Sequence, residues 1–124
     1  MAAPNIVGVT TILGITTSQT LGTTATTLVS NAAGSGKVYK INTIVAANKT
    51  ASTATVTVRY NDNAAGAGTT LALANGIDVV TKSSLVVLDK ASSIYLEENR
   101  SLTALSGTAS AIDLVISYED ITNL

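Results

Sequence analysis

The chain has 124 residues, a net charge of −1, only 12% charged side chains, and neither cysteine nor histidine. That length suits one domain, which buries roughly two-thirds of its unfolded surface and needs no staple. The composition excludes disulfides, thiolate metal sites and imidazole chemistry, and it lacks the basic footprint of a phosphate-binding, nucleic-acid-directed surface.

Residues 1–19 read as an extended N-terminal arm. Ile6, Val7, Val9, Ile12, Leu13 and Ile15 are apolar, while Gly8 and Gly14 interrupt any helix. An arm this apolar and uncharged has two uses. It forms a strand of its own domain, or it lies on a neighbouring subunit and adds a strand to that sheet. These six residues are the candidate partner contacts of the arm. The start of the chain has neither a basic segment nor an apolar stretch of signal-peptide type, so secretion is not expected. No apolar run reaches the ~20 residues of a membrane-spanning helix.

A Thr-rich strand follows within residues 20–33, then a Gly34-Ser35-Gly36 turn. Lys37–Asn61 is the centre of the chain, read as two strands joined by the polar hairpin loop 48–52. In the second strand Ala54, Val56, Val58 and Tyr60 share one face, and Thr55, Thr57 and Arg59 the other. In the first, Tyr39, Ile41, Thr43 and Val45 share a face, and the opposite face mixes Val38 and Ile44 with Lys40 and Asn42. That strand is expected to be covered on both sides.

Asn61–Gly68 is the clearest loop. Thr69–Ala74 reads as a strand, and Asn75-Gly76 as a turn before Ile77–Val80. Ser84–Lys90 and Ile94–Glu98 are further strands, and Ser101–Leu105 a short one. In the last strand Ile112, Leu114, Ile116 and Tyr118 point one way and Asp113, Ser117 and Glu119 the other, with the apolar Val115 among them. About eight strands and no helix predict an all-β protein. Its fold class is a single antiparallel β-sandwich, jelly-roll-like, over residues 20–124, preceded by the arm.

No motif carries chemistry. Gly34-Ser35-Gly36-Lys37 falls short of a phosphate loop, because Asn31 and Val38 stand where that loop needs Gly and Ser or Thr, and a strand follows instead of a helix. Asn61-Asp62-Asn63 lacks the spacing and distal acid of a calcium loop. Glu97 and Glu98 are strand neighbours, so their carboxylates point apart, with Arg100 nearby as an ion-pair partner. Asn48-Lys49-Thr50 and Asn99-Arg100-Ser101 match the glycosylation triplet by chance. Without histidine or cysteine the usual general base and soft nucleophile are missing, so no enzymatic activity, cofactor, metal or small-molecule substrate is expected. Tyr39, Tyr60 and Tyr118 sit on apolar faces and are expected in the core. Tyr95 is out of phase with Ile94 and Leu96 and is the tyrosine expected at an interface.

The segments MAAPNIVGVTTI, GSGKVYKINTIVAAN, SLVVLDKASSIYLEENRSL and AIDLVISYEDI together resemble small virion proteins of tailed bacteriophages, especially the long-tailed phages of cyanobacteria. The resemblance implies a many-copy structural protein of the virion, assembled in the host cytoplasm. Its first expected role is head decoration: a homo-trimer bound to the major capsid protein, bridging capsid subunits against internal pressure. A tail, neck, baseplate or fibre component is the alternative. Neither nucleic acid nor membrane is an expected partner.

Overall fold

Burial that alternates along one strand after another places a core between two sheets. A computed structural model describes residues 7–8 and 11–122, and within them nine strands. These are β1 (Thr11–Thr20), β2 (Thr26–Asn31), β3 (Lys37–Asn48), β4 (Ala54–Asn61), β5 (Thr70–Val79), β6 (Ser84–Leu88), β7 (Ile94–Leu96), β8 (Arg100–Ser106) and β9 (Ile112–Thr122). A single 3-10 turn, Lys90–Ser92, joins β6 to β7 and is capped by the Asp89 carboxylate.

The first sheet runs β1-β9-β3-β6, with β7 beside the other half of β3; the second runs β2-β8-β4-β5. Every pairing is antiparallel. The chain crosses between sheets at nearly every connection, and this interleaving is the jelly-roll arrangement. Ile41, Ile44, Val56, Leu102, Leu114 and Ile116 lie at its centre, each at most 1% exposed.

Three expectations need correction. β3 and β4 are not a hairpin, because they belong to opposite sheets and residues 49–53 arch across the core. The Gly34-Ser35-Gly36 turn likewise carries the chain from the second sheet to the first. Asn75-Gly76 does not end a strand. β5 runs through it with a shift in register against β4, Gly76 takes a φ of +60°, and its N–H donates to the Thr57 hydroxyl. Finally, Thr43 and Val45 do not share a face with Ile41. The register of β3 against β9 shifts between Ile41 and Thr43, so Asn42 is an extra residue. The inward set therefore passes from Tyr39 and Ile41 to Ile44 and Ala46. A bulge reverses the phase of a strand, and here it explains why Ile44 looked out of phase with Ile41, while Val38, before the bulge, is buried opposite Ile121 on the other face.

Of the arm, residues 11–19 belong to the sandwich: β1 pairs with β9 over its whole length. Ile6 and Val9 lie outside the described residues.

Three crossings and turns depend on an asparagine that ends a strand. Asn31, Asn48 and Asn61 close β2, β3 and β4 and are 0%, 2% and 0% exposed. The Asn31 amide donates to the carbonyls of Lys37 and Leu96 (2.9 and 3.1 Å), and its oxygen accepts from the Ser35 hydroxyl. Asn48 donates to the carbonyls of Ser52 and Val79 (2.8 and 2.9 Å) and accepts from the Thr50 N–H and hydroxyl. Asn61 donates to the Thr103 hydroxyl at 3.1 Å and accepts from that of Thr70 at 2.8 Å. The burial and engagement of Asn48 also leave no room for a glycan there.

Asn48→Ala strips two carbonyls and an N–H of their partner, the Val79 carbonyl in a buried site and the others at its rim. Each buried group left unpaired costs about 1–3 kcal/mol, so the variant is expected to lose at least about 2 kcal/mol. Urea unfolding will read this as a lower midpoint with an unchanged slope. An unchanged midpoint would contradict it.

Candidate assembly surface

Sites for chemistry come first. Among the described residues no group of three or more Asp or Glu stands together as a metal site. The oxygens of the Asn61-Asp62-Asn63 corner are already used: the Asp62 carboxylate accepts from the Thr69 N–H at 2.7 Å, and the Asn63 side chain from the Ala65 N–H at 2.8 Å. Glu98 turns to the Gly36 N–H at 3.3 Å. Arg100 donates to the carbonyls of Asn99 and Asp62 rather than to Glu97 or Glu98, which corrects the expected ion pair.

The densest polar cluster closes one end of the sandwich, where β3 and β9 pair Tyr39 opposite Asp120. Lys37 Nζ lies 3.2 Å from the Asp120 carboxylate, and the rings of Tyr39 and Tyr118 stand 5.2 Å apart. The hydrogen bond and charge of Asp120 raise the Lys37 pKa above its ordinary 10.5. Burial raises both tyrosines above 10.0, helped by Asp120 at Tyr39 and by Tyr39 and Asp120 at Tyr118. Both shifts favour the neutral phenol, the opposite of what a phenolate base or nucleophile needs. This cluster closes an end of the core.

The two outer faces differ. On the second sheet the outward residues Asn61, Ser101 and Thr103 are buried where the β4–β5 loop folds back, Thr57 is buried beside Gly76, and the exposed Leu71, Leu73 and Ile77 lie along the edge strand β5. The Ser101 hydroxyl donates to the Asn63 carbonyl (2.7 Å), the Ser30 hydroxyl to that of Ala64 (2.6 Å), and the Ala64 N–H to the Asn99 side chain. At Gly66, with φ +80°, a Cβ would sit 3.1 Å from the Thr27 hydroxyl and 3.2 Å from the Thr103 methyl, so a glycine lets the loop lie this close.

Among the described residues no such loop crosses the middle of the first sheet, although Val38 and Ile121, an outward pair near its end, are buried. Register sets Val86, Val45 and Val115 in one row across β6, β3 and β9, with Ser18 of β1 at its end. Val86 is 58% exposed and Val115 40%. The next rows outward are Thr43, Ser117 and Thr16, then Tyr95, Lys40, Glu119 and Gly14. Tyr95 is exposed, as expected, and Tyr39, Tyr60 and Tyr118 pack on the core. Beside Thr20 this face carries a shallow depression of about 420 Å³. There Asp113 takes hydrogen bonds from the Thr20 hydroxyl (2.6 Å) and Lys49 (3.1 Å), which hold its carboxyl below the usual range.

The sequence-nominated contacts fall into two places on this one sheet. Ile12 and Leu13, both more than half exposed, and the half-buried Ile15 lie on β1. Tyr95 is at the far edge, on β7. Ile12 points outward, whereas Leu13 and Ile15 lie opposite Asp120 and Tyr118 and take the inner side. Val7 is exposed ahead of the strand. Sequence reasoning missed Val86 and the valine row. Val115, an apolar residue among polar ones, was the signal that pointed to it.

No protein-family model matches the chain, and no curated protein matches it. Among solved structures, one from work described as "Bacillus endospore appendages form a novel family of disulfide-linked pili" is similar over 92% of this chain and 88% of its own. The TM-score is 0.56 and the identity 20%. The two share a fold. Lacking cysteine, this chain cannot make the disulfide links named for that protein.

The Lys37–Tyr39–Tyr118 cluster predicts the response to alkali. In all three groups the folded protein holds its proton to higher pH than the unfolded chain. Their contribution is therefore complete below pH 10 and is lost as the pH rises through the folded values. Melting temperature is expected to fall above pH 10, less steeply in Tyr118→Phe. A wild-type profile that stays flat would contradict this.

Proposed function

We propose that the chain is a structural subunit, used in many copies, that binds other subunits through the outer side of its first sheet. The observation that carries the reading is the asymmetry of the two faces. On one, the β4–β5 loop covers Asn61, Ser101 and Thr103, and the exposed apolar residues lie along the β5 edge; across the middle of the other run a valine row, Tyr95 and a field of threonine and serine around Lys40 and Glu119. A face this apolar, on a chain this weakly charged, suits contact with protein. The resemblance to tailed-phage virion proteins supports head decoration, in which this face meets the major capsid protein and bridges its subunits.

The fold shared with a pilus protein favours a second reading, a tail or fibre component whose copies contact one another. The ratio of this chain to the major capsid protein in purified particles separates the two. A count comparable to that of the capsid subunits is the result expected for decoration, and a few copies per particle would select the tail or fibre. Absence from particles would overturn both.

A further inference from the structure

Each sheet has two edges, and an exposed edge invites another strand unless something guards it. Three of the four edges are guarded. β2 has six residues and a register shift between Thr27 and Val29; β5 is broken twice against β4 and carries Asp78; β6 has five residues and a shift, and β7 only three. β1 is different. It pairs with β9 through ten residues without a break, and from Thr11 to Thr20 it has no charge and no proline. Thr16, Ser18, Gln19 and Thr20 are exposed, and among the described residues no strand pairs with its other side. About half of its backbone N–H and C=O groups point that way.

We propose that β1 pairs with β1 of a second copy, antiparallel about a two-fold axis, so that two first sheets become one continuous sheet. A straight ten-residue ladder needs a strand as long and as regular. Among the described edges only another β1 supplies it. A threefold ring, the arrangement expected from the sequence, would have to join unlike edges, and the others are bulged or short.

The two-fold keeps outward residues outward, so Thr16 lies opposite its own copy, or Ile15 does. Either choice brings no like charges together. The nearest acids, Asp113, Glu119 and Asp120 on β9, are held within their own copy by Lys49, Asn42 and Lys37. From one β9 to the other is three strand spacings, about 14 Å, beyond the screening length of about 8 Å at physiological salt. The pairing doubles the apolar outer face. It deepens the structural-subunit reading, on which it rests for the supply of many copies.

The test is the solution mass of the full chain at micromolar concentration, by sedimentation or light scattering. The wild type is expected at twice the 12.5 kDa chain mass. Thr16→Lys sets two like charges directly opposite each other, or diagonally adjacent when Ile15 lies on the two-fold, and is expected to abolish the dimer. Ser84→Lys, on the β6 edge, is expected to keep it. Circular dichroism checks that each variant folds, and Ser18→Lys replaces Thr16→Lys if that one does not. A wild type that is monomeric or trimeric, a folded Thr16→Lys that remains dimeric, or a dimer lost in Ser84→Lys would each overturn the pairing. None of these results bears on the particle count, which tests the subunit reading separately.

Discussion

The interleaved topology places one demand on this small protein: each time the chain leaves one sheet for the other, its backbone must keep its hydrogen bonds without a ladder beside it. Unpaired backbone groups at the rim of a core cost more than one small sandwich can lose many times over. Asn31 and Asn48 meet the demand at two of these crossings, and Asn61 acts in the same way at the turn from β4 to β5 within the second sheet. Each is the last residue of its strand, buried, and offers a donor and an acceptor where the chain turns away. Serine and threonine hydroxyls of the turns complete each set. Val, Ile, Leu and Ala fill the core, with Tyr39, Tyr60 and Tyr118 packed against it.

A sandwich closed in this way can spare its faces. The β4–β5 loop, the longest excursion within the second sheet, is spent on covering that sheet's outer face. The first sheet is left with a surface of valine, threonine, serine and one tyrosine, with Lys40, Glu119 and Asp113 among them. Its β1 edge is equally plain. A monomer kept apart from its neighbours would be expected to guard both with charge. The charges near them are few, and two pairs are held within the chain, Lys37 to Asp120 and Lys49 to Asp113.

Much of this could be read in the sequence where the information is local. The alternation of β9 and β4 fixed their inward residues, and the phase of Tyr95 placed it outside. What failed was non-local. Asn48 and the residues after it have the composition of a hairpin loop. Whether such a loop turns within a sheet or arches between sheets depends on which strands pair, and that is decided by β8 and β9 some fifty residues later. The bulge at Asn42 has no sequence mark beyond a strand that looks apolar on both sides. Asn75-Gly76 has the chemistry of a tight turn, yet the same positive φ serves a bulge when the strand continues. The valine row is visible only once three strands far apart in sequence lie in register.

The first sheet's outer side is the surface proposed to meet this chain's partners. A chain without cysteine allows that claim to be tested with single thiols. Val115→Cys places one on the first sheet's outer face, and Ala72→Cys places one on β5 of the second, both at exposed positions. The measurement is the rate of thiol labelling in the free chain and in the assembled particle. The account predicts that assembly slows labelling at residue 115 and leaves residue 72 unchanged. Protection at residue 72 with residue 115 still open would contradict it.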